Sequence, residues 1–231
     1  MTPIVMIPGL LCSAELYAPQ IPALWPFGPV TVASTLSGTT MSEIATNILR
    51  DAPPRFALIG LSMGGYVALE IMRQAPERVN KLALLDTSAR PDTPEQTVQR
   101  RGMLAQAKSG DFKGLLSQVM AMLPHPARRD DLHLLEVNIR MGLTVGLDGF
   151  ERQTKAIIGR ADSRPHLADI TVPTLVLVGD SDPITPPFLS EEIVAAIPNS
   201  SLVVIPECGH SSTLEQPEAV NRALVTWLNA T

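Results

Sequence analysis

Residues 57–72, ALIGLSMGGYVALEIM, change character twice within a few positions. An apolar run leads up to Ile59, the stretch Gly60-Leu61-Ser62-Met63-Gly64-Gly65 interrupts it, and apolar residues then resume at helical spacing. A buried strand must therefore turn sharply into a helix with Ser62 at the corner. Gly60 to Gly64 fits G-x-S-x-G in the strand–turn–helix context that this pattern requires. Small residues at 60 and 64 let such a turn pack without clashes. The turn pushes the Ser62 hydroxyl beyond the carboxyl end of the strand and leaves the first N–H groups of the helix facing any negative charge that develops there. The pentapeptide alone also admits a blander reading, a Gly-rich turn with a helix-capping Ser.

Around this corner the chain alternates between short apolar runs and helical patterns. Strands are expected at 3–9, 30–34, 55–62, 79–88, 173–179 and 201–206, and helices at 41–52 (with Ser42 as the cap), 63–75, 187–197 and 217–229. A short helix and loop fill 14–25. The alternation predicts an α/β fold, a mostly parallel sheet covered by helices on both faces. Unbroken apolar runs agree with strands buried on both sides. From 93 to 165 no strand is expected. Amphipathic helices are expected instead at 112–123, where Pro124 and Pro126 stop the pattern, at about 127–141, and at 145–159. The division is thus a core of 1–92 and 166–231 interrupted by a helical insert at 93–165.

Charge and composition narrow the function classes. The chain of 231 residues carries a net charge of −5, which does not suggest a nucleic-acid surface. No apolar run reaches the roughly 20 residues of a membrane span, and the N-terminus lacks the pattern of a secretory signal, so a cytoplasmic protein is expected. The insert holds eleven Lys and Arg against eight Asp and Glu; the rest holds seven against fifteen. Most of these charges suit solvated helix faces, and a basic insert that favours anionic substrates is the alternative. Cys12 and Cys208 form no disulfide framework and no metal-ligand spacing, and they read as small packing residues. No cofactor or metal signature appears.

A Ser hydroxyl is a weak nucleophile unless a base takes its proton. Of the four His, His210 follows the last expected strand and so falls at the same sheet edge as Ser62; His125, His133 and His166 read as surface residues. The base needs an acid on its far nitrogen. Asp182, just beyond the strand 173–179, is the favoured residue, with Asp180, Asp86 and Glu207 as rivals. The order Ser62, Asp182, His210 is that of a Ser–Asp–His hydrolase triad.

GLSMGG, LVGDSDPITP and ECGHSSTLEQPE together carry a resemblance to the α/β-hydrolase superfamily that extends over essentially the whole chain. The resemblance implies an α/β-hydrolase fold with a helical cap inserted before the acid-bearing strand, of the compact kind without extra N-terminal strands. It implies that the backbone amides of Met63 and Leu10 form an oxyanion hole, although Pro8 stands where relatives often carry His. The expected activity is a cofactor-independent serine hydrolysis of small-molecule carboxylic esters through an acyl-enzyme. A lyase or C–C bond hydrolase acting on an anionic substrate, or a small-molecule receptor on a hydrolase scaffold, is the alternative. Met103, Met120, Met122 and Met141 of the insert are expected either to pack helices or to line an adaptable acyl pocket.

Overall fold

The computed structural model describes residues 1–230. Its strands are β1 (Ile4–Ile7), β2 (Val30–Val32), β3 (Phe56–Leu61), β4 (Val79–Leu85), β5 (Thr174–Gly179) and β6 (Ser200–Ile205). They form one sheet in the order β2-β1-β3-β4-β5-β6, with every neighbouring pair parallel. Parallel neighbours need crossovers, and the helices supply them. These are α1 (Gln20–Leu24), α2 (Met41–Asp51), α3 (Met63–Gln74), α4 (Pro94–Gln106), α5 (Phe112–Met122), α6 (Leu132–Ile158), α7 (Pro187–Ala196), α8 (Ser212–Glu215) and α9 (Pro217–Asn229).

The two faces of the sheet bury alternate residues of the same strands. Val5, Ile7, Leu58, Leu82, Leu84 and Val176 pack with α2, α3 and α7. Ile4, Met6, Ile59, Leu85, Leu175 and Leu177 pack on the other side with Leu24 of α1 and with Val220, Leu224 and Trp227 of α9. Each such fully buried side chain contributes on the order of 2 kcal/mol, so continuous apolar runs are what this two-sided sheet needs. A third cluster joins Leu115, Leu116 and Met120 of α5 to Val145 and Phe150 of α6, and it takes in Leu11 from the loop after β1. The helices between β4 and β5 are thereby packed against a core loop as well as against each other.

Two local expectations need correction, and one helix has no counterpart among them. Helix α2 is capped by Thr40, not Ser42: Thr40 is extended and its hydroxyl accepts from Glu43 N at 3.1 Å. Ser42 already lies inside the helix, where its hydroxyl accepts from Gln74. The segments expected at 127–141 and 145–159 become a short turn at Pro126–Arg128 followed by α6, and Gly146 (φ 69°, ψ 173°) breaks α6 close to the expected joint. Helix α4 was not singled out from the sequence. None of its residues is buried, so it has no apolar stripe to detect, but its ends are defined by local chemistry. Thr93 and Gln96 form a reciprocal capping box, with Pro94 in the first turn.

Candidate active site

The corner after β3 is built by close approach. Ser62 N donates to Leu85 O at 2.9 Å, which carries the β3–β4 pairing one residue past the strand. Ser62 itself sits at φ 54° and ψ −116°, a strained conformation for a residue with a Cβ. A Cβ on Gly60 would lie 2.3 Å from Gly64 O, and one on Gly64 would lie 2.0 Å from Ile7 O, so both positions exclude any side chain. Thr87 Oγ1 donates to Ser62 O at 2.8 Å and holds the corner from β4's side. Helix α3 starts directly after Ser62, whose side chain caps nothing and is left free.

The hydroxyl meets His210. The distance from Ser62 Oγ to His210 Nε2 is 2.9 Å, and His210 Nδ1 lies 2.8 Å from Asp182 Oδ2. Asp182 follows β5, and its carboxylate is fully committed. Oδ1 accepts from the amides of Ile184 (2.8 Å) and Thr185 (2.9 Å), and Oδ2 also accepts from the Thr185 hydroxyl (2.7 Å). Burial pushes the Asp182 carboxyl up, but the His210 charge and these hydrogen bonds outweigh it and hold it below the usual range. Burial pushes His210 down, and Asp182 outweighs that in turn, so the imidazole is raised above its ordinary value.

The rival acids do other work. Asp180 accepts from the amides of Glu207 (3.0 Å) and Cys208 (3.2 Å), so it shapes the turn that leads to His210. Asp86 is wholly buried at the end of β4, where it accepts from Gly179 N (3.0 Å) and from the Ser212 hydroxyl. Burial, reinforced by the Asp182 charge, pushes its carboxyl well above the ordinary range. Glu207 is exposed. Among the described residues, only His210 of the four His hydrogen-bonds to Ser62 and lines the cavity above it. Cys12 is raised to about 12 by burial, and burial likewise raises Cys208; Cys208 is buried in the apolar cluster beneath α9, while Cys12 packs at the edge of that cluster and lines the cavity above Ser62.

The loop after β1 closes over the corner. A Cβ on Gly9 would lie 3.4 Å from Ser62 Cβ. Among the described residues, the amides of Leu10 and Met63 donate to no protein acceptor. Leu11, at φ 60°, is strained, and its N–H donates to Gln153 Oε1 of α6 at 3.0 Å. Gln153 is completely buried and its amide nitrogen donates to Thr35.

A second buried side chain was missed in the sequence. Glu215 at the end of α8 is 3% exposed. One of its oxygens accepts from His125 N (2.8 Å) and Gly209 N (2.9 Å), and the other accepts from Ser211 N (3.0 Å). It therefore clasps both flanks of His210 and the loop after α5. His210 N donates to Leu123 O of the same loop at 2.8 Å. The residue lies within ECGHSSTLEQPE, so its place beside His210 was visible, but nothing in its spacing indicated three backbone donors.

Above Ser62 and His210 lies a cavity of about 310 Å³. Met103, Met120, Met122, Leu123 and Ile157 line it, together with Leu10 and Leu16 from the core. Met141 does not: it packs in the core cluster with Ile4 and Met6. Another cavity, of about 270 Å³, lies between α3 and residues 161–170 and contains none of Ser62, Asp182 and His210. Among the described residues no group of three or more His, Cys, Asp or Glu is arranged to hold a metal ion, and no helix is long and apolar enough to cross a membrane.

Residues 4–223 match the model of the alpha/beta hydrolase family. The chain is 30% identical over 196 residues to the pimeloyl-(acyl-carrier protein) methyl ester esterase of Pectobacterium atrosepticum, covering 82% of this chain and 76% of that protein. Its fold superposes with a TM-score of 0.88 on a malate-bound thermophilic esterase from Thermogutta terrifontis, at 31% identity over 99% of this chain and 89% of that one. A hydrolase of Pseudomonas aeruginosa gives a TM-score of 0.88 at 26% identity, over 99% and 90% of the two chains.

Proposed function

Because the chain belongs to the alpha/beta hydrolase family, we propose that it is a serine hydrolase of small-molecule carboxylic esters. The observation that carries this reading is the unbroken hydrogen-bonded chain from Asp182 through His210 to the hydroxyl of Ser62, a residue of strained backbone, at 2.8 and 2.9 Å. Relatives at 30% and 31% identity that are named as esterases support the same chemistry.

In this mechanism Ser62 Oγ attacks the ester carbonyl while His210 Nε2 takes its proton. Asp182 fixes the tautomer with the proton on Nδ1 and stabilises the imidazolium that forms. The carbonyl oxygen becomes negative as the tetrahedral intermediate forms, and the unpaired amides of Leu10 and Met63 receive it. His210 then donates its proton to the leaving alcohol, which leaves Ser62 acylated. Water, deprotonated by His210, attacks the acyl group, and collapse of the second intermediate releases the acid and restores Ser62. Residues 93–165 serve as a cap that shapes the acyl pocket through Met103, Met120 and Met122.

The test is a panel of esters of graded acyl length, with thioesters and lactones, run on wild type and Ser62→Ala. Wild type turns over esters, a fluorophosphonate labels Ser62 alone, and Ser62→Ala loses several orders of magnitude in kcat, since a triad lacking one member retains only about 10³–10⁴-fold over water. Labelling of another residue, or a nearly active Ser62→Ala protein, overturns the reading.

A further inference from the structure

The cavity over Ser62 is not apolar throughout. Arg100 of α4 lines it beside Tyr66, Gln96 and Gln99. Tyr66 stands one helical turn beyond Ser62, with Tyr66 N donating to Ser62 O at 3.3 Å, and Ser62 and Arg100 line the same cavity.

The charge at that end is unbalanced. Arg100 Nε donates to Asp92 Oδ2 at 2.8 Å, and the other Asp92 oxygen pairs with Arg160. One carboxylate, 1% exposed, therefore serves two guanidinium groups. Arg160 is spent on the protein: it donates to the carbonyls of Arg90 (2.9 Å) and Ile157 (3.1 Å), and its Cζ stacks 4.3 Å from the Tyr66 ring centroid. Arg100 is not spent. Among the described residues its two terminal nitrogens donate to no acceptor, and neither does the Tyr66 hydroxyl, although the Arg100 side chain is only 20% exposed. Asp92 holds the Arg100 stem by its Nε edge, which leaves the forked end free. A guanidinium fixed in this way, with its forked end free in a cavity otherwise lined largely by apolar side chains, is suited to a planar bidentate anion.

We propose that Arg100 is an anion subsite of the substrate cavity, and that the preferred substrates are esters bearing a second, free carboxylate, such as monoesters of short dicarboxylic acids. The inference rests on Ser62 acting as the ester nucleophile. The carboxylate docks on the free edge of Arg100 with the Tyr66 hydroxyl as a second donor, while Met103 and Met120 cover the methylene chain. The ester carbonyl is then held at Ser62 at a distance set by chain length.

Two measurements test this separately from the ester chemistry. In the first, p-nitrophenyl monoesters of succinate, glutarate and adipate are compared with uncharged p-nitrophenyl esters of matched length. Wild type favours the anionic series by tenfold or more in kcat/KM, with an optimum in chain length. Arg100→Gln collapses that ratio, chiefly through KM, and Arg100→Lys keeps part of it because the charge remains without the fork. A wild-type ratio near or below one, or a ratio that Arg100→Gln leaves unchanged, overturns the subsite. In the second, glutarate and adipate are titrated into Ser62→Ala by calorimetry. Binding that disappears on adding Arg100→Gln supports the subsite even if no ester is ever turned over, in which case the proposed hydrolysis fails alone. Ester turnover with no dicarboxylate binding and no charge preference overturns the subsite alone.

Discussion

Gln153 Oε1 accepts the N–H of Leu11 at 3.0 Å across 142 positions of chain, and both groups are buried. Leu11 is held at φ 60°, one residue past Leu10, whose amide donates to no protein acceptor among the described residues. A helix between β4 and β5 therefore stabilises a strained turn in the loop after β1. Replacing Gln153 by Leu leaves the Leu11 N–H without an acceptor, at about 1–3 kcal/mol, and lets the loop relax. Gln153→Leu is expected to lower kcat by tens of fold, less than the about 10²–10³ that follows outright loss of an oxyanion donor. Ester kinetics alongside a thermal melt check this; unchanged kcat in a folded variant shows that Leu11 needs no such support.

The two buried aspartates respond oppositely to an amide. At Asp182 both oxygens already accept, so an Asn amide nitrogen must face either the Ile184 and Thr185 amides or the Nδ1–H of His210. The second arrangement selects the wrong His210 tautomer, which costs about 10⁴ in kcat in the serine-protease precedent. Asp86 is pushed toward its neutral form by burial, and an Asn there can still accept from Gly179 N while donating to the Ser212 hydroxyl. Asp182→Asn is expected to be crippled near neutral pH and Asp86→Asn to keep most of its activity. Purified variants with matching melting temperatures, compared on one ester, decide it; the reverse pattern moves the acid to β4.

Glu215 makes a similar prediction for the His210 loop. Glu215→Gln replaces one acceptor oxygen by an N–H₂ that must confront the amide of Ser211 or those of His125 and Gly209. The expected cost is about 1–3 kcal/mol of stability for a buried unsatisfied group. Because those amides flank His210, kcat should fall as well. Denaturant unfolding and ester kinetics measure the two effects, and a variant as stable as wild type refutes the clasp.

Much of this architecture was legible because it is local. The strands are unbroken apolar runs, and Ser62, Asp182 and His210 each follow one, so a parallel sheet brings their ends to one edge. The choice between Asp180 and Asp182 was less legible, since it depends on the turn at Thr185, which directs one carboxylate to His210 and leaves the other for Glu207 and Cys208. The roles of Gln153, Glu215 and Arg100 are not legible in the sequence, for a different reason. A buried polar side chain is defined by what it pairs with: Gln153 takes the remote amide of Leu11, Glu215 gathers the amides of His125, Gly209 and Ser211, and Arg100 shares the Asp92 carboxylate. Helix α4 buries no apolar stripe that would mark it in the sequence, yet among the described residues it supplies the Lys or Arg side chain that lines the cavity, Arg100.

The glycines of the Ser62 corner and of α4 make a contrasting pair. A Cβ on Gly64 would lie 2.0 Å from the backbone oxygen of Ile7, which cannot move without disturbing β1. Gly64→Ala should cost about 3 kcal/mol or more, or prevent folding. A Cβ on Gly102, inside α4, meets nothing within 4 Å. Gly102→Ala should therefore stabilise by roughly 0.5–1 kcal/mol through helix propensity. Melting temperatures of the two variants read this out, and a stable, active Gly64→Ala protein contradicts the packing of the corner.

The pH profile tests the His210–Asp182 pair from the electrostatic side. His210 can accept the Ser62 proton only when neutral, so kcat/KM must rise with pH as the imidazolium loses its proton. Burial alone would lower the imidazole, but the Asp182 carboxylate outweighs it and raises His210 above its ordinary 6.5. The rise is therefore expected to centre above 6.5, later than for an isolated imidazole. Asp182 is held below the usual carboxylate range and stays charged throughout that rise, so it adds no second inflection there. Asp182→Asn removes the main influence that raises His210 and leaves the burial that lowers it. Its residual activity should then rise at lower pH than wild type, while its plateau drops sharply. Measuring kcat/KM from about pH 5 to 9 for both proteins gives the comparison. A wild-type midpoint below that of the variant would mean that Asp182 does not act on the imidazole as the 2.8 Å contact implies.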